Sequence, residues 1–272
     1  MTGSFGGILY PAALPTFTRV PPPESLENLV EWFWIPEWNI AHGRISRQEV
    51  IAYPASNFVV EPDSVSFTGP TTRRTHRDLM GRGWAVGALL RPAAVPAFTD
   101  DPEGLRDDVL ALAQPELRAA VARAMHVVGP QERHQCVVDV VCDWLREAVP
   151  SPSEEALLAN RMVTLIGSDP GVLRIDDAAK QLDVSPRTLQ RLAKRFVGLP
   201  PSALIRRRRL QEATVRLRTE PQADLAAIAA ELGYADQSHL TKDFQRVLGF
   251  TPNGYRQSQP ANSSQPTAGL PD

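Results

Sequence analysis

Cysteine is scarce in this chain, which contains two cysteines in 272 residues. Cys136 and Cys142 lie six positions apart in a segment with helical spacing, so they point to different faces and cannot form a local disulfide. We interpret both as buried apolar thiols in a reducing cytosol. A fold held together by disulfides is therefore excluded.

Long apolar runs and metal-binding patterns are also missing. No run approaches the roughly 20 residues of a membrane-spanning helix, so we expect no membrane partner. The beginning, MTGSFGGILYPAALPTF, lacks the basic and continuous apolar parts of a secretory signal, and we expect a cytoplasmic, nucleoid-associated protein. The five histidines are not paired at i, i+2 or i, i+4 spacing, so we expect no metal and no cofactor. Nucleophile-elbow, phosphate-loop and dinucleotide fingerprints are absent from the sequence, which argues against an enzyme.

The overall net charge of −2 conceals an asymmetry between the two halves of the chain. Residues 1–150 hold 13 Lys and Arg against 18 Asp and Glu, a net charge of −5. Residues 161–256 hold 16 against 10, a net charge of +6. A basic half favours a polyanionic partner, although a solvated surface alone can carry such charge.

The N-terminal half has the pattern of short β-strands. Between residues 26 and 91, runs rich in β-branched and aromatic residues alternate with Pro, Gly and Asn clusters; the runs are LVEWFWI, QEVIAY, NFVVEP, SVSFTG and WAVGALLR. Such spacing predicts a small antiparallel β-barrel or sandwich. Residues 1–25 are rich in Gly and Pro, and we expect an extended N-terminal segment there.

Helical spacing follows at residues 102–125 and 130–149, so the β-rich domain with its C-terminal helices is predicted to cover residues 26–150. Pro150-Ser151-Pro152 favours a joint between domains. The predicted fold class is thus α+β.

An all-α domain is predicted from residue 151 to residue 256. Ser153 is a predicted N-cap, ahead of Glu154 and Glu155. Residues 257–272 are polar and rich in Pro, and we expect a disordered tail there.

One stretch of the C-terminal domain occurs twice. Ala179 pairs with Ala229 at an offset of 50 positions, and after one residue gained in the turn Leu189 pairs with Leu240 at an offset of 51. A supersecondary unit used twice explains this register.

Each copy has the pattern of a helix-turn-helix unit: a small residue where two helices cross, a turn, and a second helix with a buried leucine. The turn favours a residue that tolerates a left-handed backbone, which Gly233 does well and Asp183 tolerably. Ser185, followed by Pro186, and Asp236 are predicted to cap the second helices.

The predicted outer faces of the second helices carry residue types that read bases. They are Arg187, Gln190, Arg191 and Lys194 in the first copy and Gln237, Ser238, Thr241, Lys242 and Gln245 in the second. Arginine can bind guanine with two hydrogen bonds, and glutamine can bind adenine in the same way. A solvated face explains either copy alone equally well, but two matched copies favour DNA.

The helix predicted between the two copies contains four consecutive arginines, Arg206 to Arg209. They span every face of a helix, so at least one must pack along its stem or pair with an acid. The others can reach phosphates, which supply affinity without sequence information. A purely spacing role is the alternative.

These residues closely resemble the C-terminal domain of the AraC/XylS family of bacterial transcription regulators. The segment ADQSHLTKDFQRVLGFTPNGYR matches the family signature nearly throughout, and SPRTLQRLAKRFVGLPP resembles the first recognition helix. The match covers about residues 157–256, with Asp183 in place of the usual turn glycine. Residues 26–91 resemble, less specifically, the cupin-like β-barrel sensor domain of the family.

The resemblance implies that both recognition helices enter successive major grooves of double-stranded DNA, about one helical turn apart. It implies base contacts from Arg187, Gln190, Arg191, Gln237, Ser238 and Lys242. For phosphate contacts we expect Ser185, Lys194, Arg206, Arg209, His239 and Thr241. The family also implies a homodimer through the helices at 102–149 and RNA polymerase as a partner; helices that merely cover the barrel are the alternative.

The β-rich domain is expected to be regulatory. An aromatic wall with a few polar groups is the usual lining of a small-molecule pocket, and we assign Trp32, Trp34, Arg73 and Trp84 to an effector pocket. Strand alternation sends Trp32 and Trp34 to one face and Phe33 to the other, so core packing is the alternative for each ring.

The sequence therefore favours a sequence-specific DNA-binding transcription regulator, modulated by a small molecule or by dimerisation through its N-terminal domain. The alternative is a small-molecule enzyme fused to a DNA-binding tail.

Overall fold

The computed structural model describes residues 16–50, 53–220 and 222–258. Within these ranges, strands lie between residues 16 and 111, and α-helices lie between residues 115 and 258. This confirms the predicted α+β class, with a β-rich N-terminal region and a helical C-terminal region. The described residues up to Arg209 form one compact unit, and those from Leu210 onwards form another.

The strands of the first unit are antiparallel to their partners. They are β1 (Thr16–Val20), β2 (Val30–Asn39), β3 (Ser46–Val50), β4 (Asn57–Val60), β5 (Val65–Thr68), β6 (Thr75–Leu79), β7 (Arg82–Trp84), β8 (Val86–Leu90) and β9 (Val109–Ala111). The main sheet runs in the order β1-β2-β8-β4-β5-β9, with β7 also paired to β2. Strands β3 and β6 form a separate two-stranded ribbon.

Side-chain alternation divides the main sheet into an apolar face and a mixed face. Phe33, Phe58 and Phe67 are fully buried on the apolar face. Helices α1 (Pro115–Ala124) and α2 (Pro130–Ala148) follow the sheet, and Trp144 of α2 stacks on Phe58 with ring centroids 4.6 Å apart. The core of the first unit therefore lies between one sheet face and its helices.

The remaining helices are α3 (Glu154–Ser168), α4 (Ile175–Gln181), α5 (Pro186–Phe196), α6 (Pro201–Thr219), α7 (Leu225–Glu231), α8 (Gln237–Leu248) and α9 (Pro252–Ser258). Helix α3 begins as predicted, because the Ser153 side chain accepts a hydrogen bond from the backbone N–H of Ala156. Buried Ala159 and Met162 of α3 belong to the same apolar core as the sheet. The Pro150-Ser151-Pro152 joint consequently lies inside the first compact unit.

Two segments differ from the sequence expectation. The extended N-terminal segment predicted for residues 1–25 falls partly outside the described residues, and within it Thr16–Val20 is instead strand β1, paired with β2. The helical pattern predicted for residues 102–125 begins only at Pro115, because Asp107 takes a left-handed backbone (φ 58°) and Val109–Ala111 pairs with β5. The predicted disordered tail, residues 257–272, lies outside the described residues from residue 259 onwards.

The two cysteines of α2 differ in environment. Cys142 is buried, and burial raises the pKa of its thiol to about 11. Cys136 is exposed, which corrects the expectation that both are buried, since residues six apart on a helix cannot both face the core. Across the part of the chain that the structure describes, no helix is both long enough and apolar enough to span a bilayer.

Candidate nucleic-acid interface

The turns of the two helix-turn-helix units, α4–α5 and α7–α8, close with the same hydrogen bond. The N–H of Val184 donates to the carbonyl of Ala179 at 3.0 Å, and the N–H of Tyr234 donates to that of Ala229 at 2.9 Å. The residue just before each donor has a left-handed backbone, with φ of 53° at Asp183 and 73° at Gly233. The predicted tolerance of Asp183 for this conformation is confirmed, as is the duplication of the unit.

Both second helices begin with the predicted caps. The Ser185 hydroxyl accepts from the N–H of Thr188 at 3.1 Å, and Pro186 occupies the first helical position of α5. The Asp236 carboxylate accepts from the N–H of His239 at 2.7 Å. These caps fix where each recognition helix starts.

Helix α5 presents one apolar face and one polar face. Leu189, Leu192 and Phe196 are buried. The exposed side chains include Arg187, Gln190, Arg191 and Lys194, the face predicted to meet DNA. The structure therefore brings together the predicted DNA-contacting residues of this helix on one surface.

Acidic side chains from outside α5 reach this surface. Glu155 of α3 accepts from Arg191 and, at 2.6 Å, from Arg195. Glu103 lies 3.7 Å from the ammonium nitrogen of Lys194. Sequence inspection missed both acids, because the pairs join positions 36 or more residues apart and carry no local signal.

Helix α8 is built in the same way. Leu240, Phe244 and Leu248 are buried, whereas Gln237, Ser238 and Lys242 are exposed and Thr241 is half-buried. The ring of the exposed His239 meets that of Tyr234 edge to face, with centroids 5.2 Å apart. The polar face predicted for α8 is thus present.

The arginine run of α6 is less available to a ligand than predicted. Arg207 and Arg208 are each 6% exposed, and Arg206 and Arg209 are half-buried. Arg208 donates to the carbonyl of Val172 at 3.0 Å, and Arg209 donates to the carbonyl of Leu173. The expectation that part of the run must pack or pair is confirmed, and Arg209 already binds a backbone carbonyl.

The residues assigned to an effector pocket are only partly brought together. Trp32 and Trp34 share the mixed face of the sheet, as predicted. Trp84 stands opposite Glu37 in the β2–β7 pair, which places Trp84 on the other face of the sheet. The Nε atom of Arg73 lies 3.8 Å from a carboxylate oxygen of Asp107. The structure places Arg19 beside Trp32 instead, with its guanidinium 4.9 Å from the ring centroid.

Two further residues of the mixed face contact these tryptophans. Tyr53 meets Trp32 edge to face at 6.2 Å, and Asn57 accepts a 3.0 Å hydrogen bond from the indole N–H of Trp34. Side chains alternate between the two faces along β1 and β4. Once the pairing of these strands is known, this alternation assigns Arg19 and Asn57 to the mixed face. Within the described ranges, no group of three or more His, Cys, Asp and Glu side chains is arranged to hold a metal ion.

Comparisons with known proteins agree with this architecture. Residues 178–258 match a family described as a helix-turn-helix domain, and residues 18–109 match a domain of unknown function. The chain is 30% identical over 105 residues to the transcriptional activator AarP of Providencia stuartii, covering 39% of this chain and 77% of AarP. It is 35% identical over 119 residues to an AraC-like transcription regulator of Streptomyces antibioticus, covering 43% of this chain and 37% of that protein.

The extent of these matches varies. The chain spans between 27% and 37% of the length of several curated relatives that it matches. Among solved structures, ToxT from Vibrio cholerae aligns over 89% of this chain and 95% of its own, with 12% identity and a TM-score of 0.41. On the evidence of the AarP match and of a duplicated unit with matching turns and caps, this chain belongs to the AraC family of transcription regulators.

Proposed function

We propose that this protein is a sequence-specific DNA-binding transcription regulator whose recognition helices, α5 and α8, read two adjacent major grooves. The observation that carries the proposal is the exposed polar face of both α5 and α8. Each face belongs to a helix-turn-helix unit, and the turns of the two units close with the same hydrogen bond. A DNA-binding role places the protein in the cytoplasm with the nucleoid.

Base reading is assigned to the exposed residues near the start and middle of each helix. They are Arg187, Gln190 and Arg191 on α5, and Gln237, Ser238 and Lys242 on α8. Arginine and glutamine distinguish base pairs in the major groove because their donors and acceptors match guanine or adenine edges.

Phosphate contacts are assigned to residues around these helices: Ser185, Lys194, Arg206, His239 and Thr241, with Arg209 once it leaves its carbonyl partner. Such contacts set orientation and affinity without reading sequence.

The test is selection of binding sites from a randomised duplex library by the full-length chain. We expect two conserved blocks about one helical turn apart, and affinity that falls steeply with salt. Arg191→Ala should relax preference at one position of one block, at a cost of about 1–3 kcal/mol, and Lys242→Ala should affect the other block. Enrichment of no sequence, or of a single block that both variants alter, contradicts the proposal.

We further propose that the N-terminal region is regulatory rather than catalytic, with an effector bound at the mixed face of the sheet. Support comes from the curated relatives, which are named as transcription regulators, and from Trp32, Trp34 and Arg19 sharing that face. Thermal-shift screening of the full chain against aromatic and carboxylate metabolites, with Trp32→Leu as the variant, tests this. A stoichiometric bound metal with turnover of a small molecule supports the enzyme alternative.

Self-association is a separate proposal. Helices α1 and α2 pack on each other, and Val128 between them is 88% exposed. A homodimer through this region doubles the DNA contacts, and we propose RNA polymerase as a further partner. Sedimentation of the wild type and of Val128→Asp distinguishes a dimer from a monomer.

A further inference from the structure

One carboxylate outside the recognition helix holds two of its arginines. Glu155 accepts from Arg191 through one oxygen and from Arg195 through the other, the second bond measuring 2.6 Å. Arg191 and Arg195 are four residues apart, so they stand one above the other on the same side of α5. The bridge therefore fixes the side of the helix along which the Arg191 side chain runs.

The carboxylate itself stands on a rigid support. Glu155 lies in the first turn of α3, next to the Ser153 cap and just before the buried Ala156. Asn160, one turn further along, makes two hydrogen bonds that tie α3 to the sheet region. A carboxylate in the first helical turn is also stabilised by the helix dipole. The helix that carries Glu155 is thus anchored to the sheet region by contacts that do not involve the two arginines.

Exposure shows which group faces outward. The Glu155 side chain is 28% exposed, whereas the side chains of Arg191 and Arg195 are 59% and 58% exposed. The two arginine side chains therefore present more of their surface to solvent than the glutamate that binds them. A guanidinium has five N–H donors, and the contact with Glu155 occupies one nitrogen of Arg191, so the remaining edge stays open to a ligand.

We propose that Glu155 is a positioning residue for DNA recognition, which orients the guanidinium of Arg191 for its contact with a base. The inference rests on the proposed function. An arginine that is already oriented loses less side-chain freedom when it binds, and its two-pronged contact with a guanine edge is favoured over other poses. Glu155 therefore contributes to base discrimination without touching DNA.

The neighbouring Glu154 provides a matched control. It is exposed in the same first turn of α3 and carries the same charge, so Glu154→Ala and Glu155→Ala change the net charge equally. Removal of either acid raises affinity for any duplex, because it reduces repulsion of the phosphates. Only the loss of Glu155 alters the hold on Arg191.

The experiment compares two duplexes: one selected from a randomised library by the full-length wild type, and one with a single base-pair change at the position where Arg191→Ala loses its preference. The measured quantity is the ratio of the two affinities. We expect Glu155→Ala to lower this ratio by about fivefold or more, and Glu154→Ala to leave it unchanged. Glu155→Gln, which keeps the side-chain length and one acceptor oxygen, should give an intermediate ratio.

Arg195→Ala separates the two halves of the bridge, because it leaves the contact between Glu155 and Arg191 intact. We expect it to lower the affinity for both duplexes equally. The inference is wrong if Glu155→Ala raises the affinity for both duplexes, keeps the wild-type ratio and has the same free energy of unfolding as Glu154→Ala. The carboxylate would then act only as a charge that competes with the phosphates. If the wild type itself shows no preference for the selected duplex, the proposed function fails instead.

Discussion

The side-chain amide of Asn160 donates a 2.8 Å hydrogen bond to the carbonyl oxygen of Asn28, 132 positions earlier in the chain. Its side-chain oxygen accepts a second bond, at 3.0 Å, from the backbone N–H of Ala93. Asn160 is 6% exposed, so it lies within the packed interior. One side chain of α3 thus joins that helix to two separate segments that flank the sheet.

Asn160→Ala should destabilise the first compact unit. The substitution leaves the N–H of Ala93, a buried residue, without its acceptor, and the expected cost is about 1–3 kcal/mol. Urea unfolding of the full chain measures it. Asn39→Ala, at an exposed asparagine that ends β2, should change little. Equal stability of the two variants contradicts a structural role for Asn160.

The helix-turn-helix units were predictable because their signals are local. The left-handed residue, the N-cap and the buried leucine of each copy lie close together in sequence, and each has one physical reason to be there. The same holds for the alternation of Trp32 and Phe33 along β2. Local physics alone thus located the candidate interface and the outward residues of α5.

The features missed by the sequence depend on contacts between distant segments. Strand β9 forms because Val109–Ala111 pairs with the edge of β5. Its own residues are exposed, so they have no alternation of buried and exposed positions that would predict a strand. The contact between Arg191 and Glu155 joins α5 to α3. The burial of Arg207 and Arg208 follows from packing within the first compact unit. Periodicity cannot reveal such pairs, since each partner looks like an ordinary surface charge.

Glu37 should make folding stability depend on acid. Burial raises the pKa of the Glu37 carboxyl, but hydrogen bonds and positive charge from His134 and Arg133 outweigh burial and hold it below its ordinary value of 4.5. A carboxyl group whose pKa is lower in the folded than in the unfolded state stabilises the fold at pH values above the unfolded-state pKa. This stabilisation is lost as the pH falls through the pKa of the folded state.

We therefore expect Glu37→Gln to have a lower free energy of unfolding than the wild type at neutral pH, with a difference that shrinks below about pH 4.5. Urea unfolding across this range is the measurement. Glu27→Gln, at an exposed position, serves as the control. A difference that stays constant with pH shows that the lost contacts, not the charge, stabilise the fold.

Gly198 should not tolerate a side chain at the end of α5. Its φ is 76°, and a Cβ atom would lie 2.3 Å from the carbonyl oxygen of Pro102. Gly43 has nearly the same backbone, φ 77°, with no atom within 4 Å of such a Cβ. Gly43→Ala should cost about 1–2 kcal/mol through its backbone alone, and Gly198→Ala should cost more. Similar unfolding free energies for the two variants would show that the segment at Pro102 moves freely away from α5.

Lys194 and Arg187 lie two turns apart on the exposed face of α5, and the proposed function assigns them different tasks. Lys194→Ala should weaken binding to a selected and to a scrambled duplex by the same factor, and reduce the salt slope by about 1. Arg187→Ala should weaken binding to the selected duplex alone, by about 1–3 kcal/mol. Because Glu103 lies 3.7 Å from the Lys194 ammonium, Glu103→Gln should strengthen binding to both duplexes. Fluorescence anisotropy across a salt series measures all three variants. A loss confined to the selected duplex in Lys194→Ala would move Lys194 from the phosphates to a base.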